Sequence, residues 1–216
     1  IEKHKEVFQE EPKGMWPSEG SVSNATLDLM IENGLKWTAS DEDILRKSLD
    51  YWEEDSLCKP YLYKSAVGEI AVFFRNHHLS DLIGFVYQSW DTKAAVGDFL
   101  NHLRNIKNTV RSDHGLVSII MDGENAWEYY HRNGWDFLVE LYTQIMNSPD
   151  LELITLDEYL NLHPPKKELN RIHPGSWIYG NYNTWIGDPV KNRAWEEMVK
   201  VREKIEETKK EVPRNM

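Results

Sequence analysis

Two carboxylates in this sequence have neighbours that suit chemistry. Glu19 lies in GMWPSEGSVS (14–23), between Ser18 and Gly20 and three residues after Trp16. Asp122 lies in MDGENAWEYY (121–130), directly behind the apolar run GLVSIIM (115–121). Gly123 then frees the backbone, and Glu124, Asn125, Trp127, Tyr129 and Tyr130 crowd behind it. Two acids facing each other across a cleft can cleave a glycosidic bond. One attacks the anomeric carbon; the other protonates the departing oxygen and then activates water. In the retaining form of that chemistry the two carboxyls sit about 5–5.5 Å apart. Flat aromatic side chains suit the apolar faces of sugar rings, so Trp16 and Trp127, which flank the acids, are candidates for the cleft walls. Trp177 and Trp185 are weaker candidates. A loop or helix-capping acid and a core-filling ring are the plainer alternatives for each.

A third group follows the run EIAVFFR (69–75): Arg75, His77, His78 and Asp81. Arg75 is of a type to position a nucleophile, and a histidine can bond sugar hydroxyls. Asp41 and Glu42 also follow an expected strand, LKWTAS, whereas Asp157 reads as an ordinary acid at a helix start.

Elements must bring these groups together, and the pattern alternates. Helices are expected over 24–33, 41–52, 79–90, 94–107, 133–147 and 156–162, with Ser40 or Asp41 as the N-cap of the second. Strands are expected near 14–18, 34–39, 70–75, 116–121 and 151–155. Strands alternating with helices of this length imply parallel βα units, and their continuous apolar character implies a sheet covered on both faces or closed into a barrel. Five parallel strands fit either a doubly wound sheet or part of a larger barrel. In both, chemistry collects at the C-terminal ends of strands, where Glu19, Asp122 and the Arg75 group are all expected. After His163-Pro164-Pro165 the character changes. An aromatic, glycine-rich stretch (173–188) precedes a charged helix (189–211), so the expected division is 1–163 and 164–216.

Composition narrows the class. The 216 residues, 40% hydrophobic, support a real core, and the net charge of −11 argues against a nucleic-acid surface. Nine Trp and ten Tyr agree with a sugar-gripping surface. The single cysteine, Cys58, rules out an internal disulfide framework. No apolar run is long enough to span a bilayer, so no membrane partner is expected. No signal peptide is visible, which leans the expectation towards the cytoplasm and leaves secretion open. The chain begins at Ile1, so the true N-terminus can lie upstream.

GMWPSEGSVS and MDGENAWEYY together resemble two regions of glycoside hydrolase family 57, the α-amylase, amylopullulanase and 4-α-glucanotransferase family. FFRNHHLSDLIGF (73–85) and SWIYGNYNTWIGDPVKNRAW (176–195) are similar to that family as well, and the four segments come in the right order. The resemblance implies a retaining mechanism on α-glucosidic bonds in starch, glycogen or maltooligosaccharides, with Glu19 as nucleophile and Asp122 as acid/base. It implies a partial (β/α)7-type barrel followed by a helical segment, with no cofactor and no obligatory metal. Trp16, Arg75, His77, Asp81 and Trp127 are the expected substrate-binding residues.

Two departures qualify it. The family carries further motifs upstream, one containing a histidine, and there is no room for them before Glu19. Asn76 stands where close relatives carry an acid. The expectation is therefore the C-terminal part of a catalytic domain, with an exposed sheet edge that pairs with the missing N-terminal part or with another chain. Two rivals stand beside it. One is a metal-dependent polysaccharide deacetylase using Asp122, His77 and His78 as ligands. The other is a non-catalytic carbohydrate-binding or assembly fragment.

Overall fold

The computed structural model describes residues 1–111 and 114–211. It divides into two compact units, Ile1–Gly180 and Asn181–Met216. The first is mixed α/β, built on a five-stranded sheet. Helix α1 (Glu2–Phe8) precedes β1 (Gly14–Met15); α2 (Asn24–Glu32), β2 (Trp37–Asp41) and α3 (Glu42–Ser48) follow. Next come β3 (Tyr61–Ser65), β4 (Gly68–Arg75), α4 (His77–Asp81), α5 (Thr92–Thr109), α6 (Trp135–Met146), α7 (Leu156–Leu162) and β5 (Lys167–Leu169). The second unit holds α8 (Pro189–Glu211), which opens on a proline at the first turn, where a missing N–H costs nothing.

The strand order is β1-β2-β4-β3-β5. β1, β2 and β4 are parallel, as expected, and β5 is parallel to β3. Strand β3 runs antiparallel to β4 and pairs with it from Tyr61↔Val72 to Ser65↔Gly68. This hairpin corrects the sequence expectation in two places. β3 occupies the edge of β4 only as far as Val72, so residues 115–121 find only its tip. They form a single parallel bridge, Arg75↔Ser118, and no strand. The free edge of β3 is taken by β5, so 151–155 forms no strand either and runs straight into the Thr155 cap of α7. Because β5 belongs to the sheet, the first unit continues past residue 163 to Gly180.

Side chains alternate across β4. Ile70, Val72 and Phe74 pack with Leu27, Met30, Ile44 and Leu45 of α2 and α3 on one face. Ala71 and Phe73 pack with Ala39, Leu116 and Tyr159 on the other. A period of two with both faces buried is why EIAVFFR is apolar throughout. A third cluster joins Leu79, Ile83 and Tyr87 to α5 and α6 through Ala95, Phe99, Phe137 and Leu141. Cys58 is buried and free, and burial pushes its thiol up to about 11, which keeps it unreactive. Among the described residues no helix is long and apolar enough to cross a membrane.

Candidate active site

Glu19 sits just beyond the C-terminal end of β1, in a tight turn over Ser18–Gly20. Its backbone has φ 57° and ψ 22°, the left-handed region that a non-glycine residue rarely occupies. Gly20 follows at φ 60° and lies under the Trp16 ring; a Cβ there would stand 2.6 Å from the ring. The Ser40 hydroxyl, at the end of the neighbouring β2, donates to the Gly20 carbonyl at 2.7 Å. The segment 175–177 closes the other side. Val22 and Gly175 exchange backbone hydrogen bonds at 2.9 and 3.0 Å, and the Trp177 amide donates to the Glu19 carbonyl at 3.1 Å. The Trp177 indole Nε1 donates to Glu19 Oε2 at 2.7 Å. Its ring meets Trp16 edge-on, with centroids 5.2 Å apart.

Arg75 ends β4 and is the direct register partner of Asp41, which ends β2. Both are buried. The guanidinium is held from three sides: Nη1 to Asp41 Oδ2 at 3.3 Å, Nη2 to Asp81 Oδ1 at 2.5 Å, and Nε donating to the Ile120 carbonyl at 2.7 Å. It lies 5.1 Å over the Trp177 ring. Glu19 is not among its ion partners, so the expected direct approach of Arg75 to the nucleophile is replaced by an approach to the ring that holds it. His77 completes the group, with Nδ1 3.3 Å from Asp41 Oδ1 and Nε2 2.9 Å from Asp81 Oδ2. Burial works against a proton on His77, but the charges of Asp41 and Asp81 outweigh it and raise its pKa above the ordinary value. Burial likewise raises Asp41, against the lowering pull of the Asp43 amide, His77 and Arg75.

Asp122 lies half-buried two residues beyond Ile120, and among the described residues its carboxylate makes no hydrogen bond or ion pair. A string of contacts thus runs from Glu19 through Trp177 and Arg75 to the Ile120 carbonyl, just before Asp122. Trp127 sits elsewhere. Its ring leans on Tyr130 and Phe137 at 5.3 and 6.3 Å, in the layer of α5 and α6, and covers Gly134. His78 is exposed and meets His102 edge-on at 5.3 Å. Trp185 belongs to the second unit, where its carbonyl accepts from the Trp195 indole at 2.8 Å. A small cavity lined by Tyr87, Trp90, Tyr130 and His131 contains none of the expected site residues.

Two features escaped sequence reasoning. Asp41 is expected as a strand-end acid and a helix cap, but its buried pairing with Arg75 depends on the register of adjacent strand ends, which no local pattern shows. Trp177 was ranked low because nothing local ties it to Glu19, 158 residues away. The ligand set of the deacetylase alternative does not assemble. Among the described residues, the side chains near enough to share an ion are Asp41, Asp43 and His77, within 4.8 Å of one another. There, Asp41 Oδ1 already accepts from the Asp43 amide at 3.1 Å and faces His77. Hydrogen bonds and ion pairs account for the Asp41 and His77 side chains in that cluster.

Comparison with known proteins bears on the fold and the family. The chain matches 4-α-glucanotransferase from Thermococcus litoralis with TM-score 0.67 and 21% identity, over 82% of this chain and 27% of that one. It matches the α-amylase AmyC from Thermotoga maritima with TM-score 0.69 and 15% identity, over 93% and 49%. It matches the GH57-type branching enzyme from Pyrococcus horikoshii with TM-score 0.67 and 16% identity, over 88% and 45%. The likeness is one of fold, the (β/α)7-type barrel of which this sheet is a part. The chain spans between about a quarter and a half of those structures' length. No curated protein matches it. The sequence model of glycosyl hydrolase family 57 covers residues 1–172. With that match over most of its length, the chain belongs to glycosyl hydrolase family 57.

Proposed function

We propose that this chain carries the catalytic carboxylates of a retaining glycoside hydrolase or transglycosylase acting on α-glucans. Glu19 is the nucleophile and Asp122 the acid/base. The observation that carries this reading is the state of Glu19. It is a carboxylate at a strand end, in a left-handed backbone conformation, with one oxygen held by an indole N–H and the other without a partner among the described residues. Strain of this kind persists where the surroundings enforce it, and it concentrates at functional sites. Membership of the family supports the reaction class, and the fold neighbours, a glucanotransferase, an amylase and a branching enzyme, support the α-glucan substrate.

In this reading the free oxygen of Glu19 attacks the anomeric carbon while Asp122 protonates the departing oxygen. Water, or a sugar hydroxyl in the transfer reaction, then gives up a proton to Asp122 and attacks from the side the leaving group vacated. Trp16 and Trp177 offer ring faces beside the nucleophile. The Arg75 group stays outside the bond-making and fixes the strand ends.

The test is substitution of the nucleophile in the full-length protein. Glu19→Gln is expected to lose nearly all turnover of maltooligosaccharides while keeping their binding. Glu19→Ala is expected to recover activity with added azide and to give a product of inverted anomeric configuration. Wild-type rates for Glu19→Gln would make this acid an ordinary loop carboxylate.

A further inference from the structure

Trp177 is joined to Glu19 in a way that a cleft-lining ring does not require. The backbone amide of Trp177 donates to the Glu19 carbonyl and its indole N–H donates to Glu19 Oε2, at 3.1 and 2.7 Å. Its segment is registered by the Val22–Gly175 pair, and Lys47 Nζ donates to the carbonyls of Tyr179 and Gly180 at 3.0 and 2.9 Å. The ring itself is fixed from two sides, by Trp16 and by the buried Arg75 guanidinium. The indole therefore has one orientation, and in it the N–H points at one oxygen of one carboxylate.

We infer that Trp177 is a positioning residue for Glu19: its indole N–H holds Oε2, leaves Oε1 as the attacking atom, and favours Oε1 as the leaving atom in the second step. This rests on the reading of Glu19 as nucleophile. In the first step Oε1 forms the bond to the anomeric carbon, and the glycosidic pair of electrons leaves with the departing oxygen, which takes the proton of Asp122. The carboxylate's charge disappears into an ester. In the second step water or a sugar hydroxyl gives its proton to Asp122 and bonds the anomeric carbon, the ester bond breaks, and its electron pair returns to the carboxylate. A donor on Oε2 bonds the charged carboxylate more strongly than the ester. It therefore helps Glu19 to leave, while its geometric effect on the attack partly offsets the lost nucleophilicity. Its electronic weight falls on the breakdown of the intermediate.

Replacing Trp177 by benzothienylalanine keeps the ring's size and removes only the N–H. In the full-length protein, on an activated aryl α-glucoside where breakdown of the intermediate limits the rate, kcat should fall about tenfold or more. KM should fall with it, kcat/KM should change by less than about threefold, and mass spectrometry should find glycosylated Glu19 accumulating. Wild-type behaviour of the isostere, or a loss in kcat/KM as large as that in kcat, overturns the inference. Glu19→Ala run in parallel separates the two claims. If Glu19→Ala keeps its turnover, the nucleophile assignment falls. If it is inactive while the isostere is unaffected, only the role of Trp177 falls. A readout independent of turnover is the nitrogen-15 NMR signal of the Trp177 indole N–H, which should move on Glu19→Ala. An indifferent signal overturns the inference whether or not the chain is active.

Discussion

At Glu19 the backbone adopts a conformation that costs a non-glycine residue about 1–2 kcal/mol. Hydrogen bonds from the Trp177 amide and from Ser40, together with the Trp16 ring against Gly20, hold the turn in place. Gly20 tolerates its own positive φ only because it lacks a Cβ, which would meet that ring. Asp122 is the opposite case, a half-buried carboxylate without a bonding partner among the described residues, followed by a glycine that leaves the chain free to turn. If it is the acid/base, its value depends on the leaving group. Asp122→Ala should slow glucosides with poor leaving groups at least a hundredfold, while activated aryl glucosides, which need no protonation to depart, lose far less in the first step. Comparison of kcat/KM across a series of aryl leaving groups checks this. Equal losses along the series would remove Asp122 from the acid role.

At the scale of elements, the ends of β2, β4 and α4 are tied by one ionic cluster, Asp41, Arg75, His77 and Asp81. Removing one partner from a buried pair such as Asp41–Arg75 strands the other charge, at a cost of about 3–5 kcal/mol. His77 adds a pH dependence. Its folded pKa is raised above the ordinary value near 6.5. The folded state therefore holds the proton more tightly than the unfolded chain. The resulting stabilisation is complete below about pH 6.5 and is lost as pH rises through the folded value. The thermal midpoint of the wild type should exceed that of His77→Gln at pH 6, and the gap should close towards pH 9. A gap constant over that range would mean that His77 carries no charge in the cluster. Much of this layer is legible in the sequence. LKWTAS reads as a short strand, α2, α5 and α7 have clear caps and spacing, and EIAVFFR has the near-continuous apolar pattern of a strand buried on both faces. GLVSIIM carries the same pattern and forms only one bridge, because a strand needs a free edge as well as a propensity. The segment YLYKS, with its alternating Tyr61 and Tyr63, takes that edge. The site was legible at the same depth. Strand-end acids betray themselves by position, whereas the Glu19–Trp177 bond joins distant segments and leaves no local mark.

At the scale of the molecule, the sheet is open. β1 is two residues long and stands at one edge, β5 is three residues long and stands at the other, and Glu19 hangs from the end of β1. A barrel abolishes such edges by closing on itself, and an acceptor site that excludes water needs walls on every side of the nucleophile. Here Glu19 has Trp177, Trp16 and the end of β2 on its inner side, and the edge of β1 on its outer side. The solved relatives in which this fold recurs are two to nearly four times longer than the part matched. The 216-residue chain on its own is therefore expected to hydrolyse soluble starch little or not at all, whereas a polypeptide that closes the β1 edge should do so readily. Reducing-sugar release, measured with the Glu19→Gln chain as background, reads the difference. A closed edge should also bring maltooligosaccharide binding within reach of calorimetry, where the open sheet gives a weak signal or none. Substantial turnover by the 216-residue chain would show instead that these five strands and the Trp177 segment already enclose the reacting atoms, and that the β1 edge faces solvent without loss.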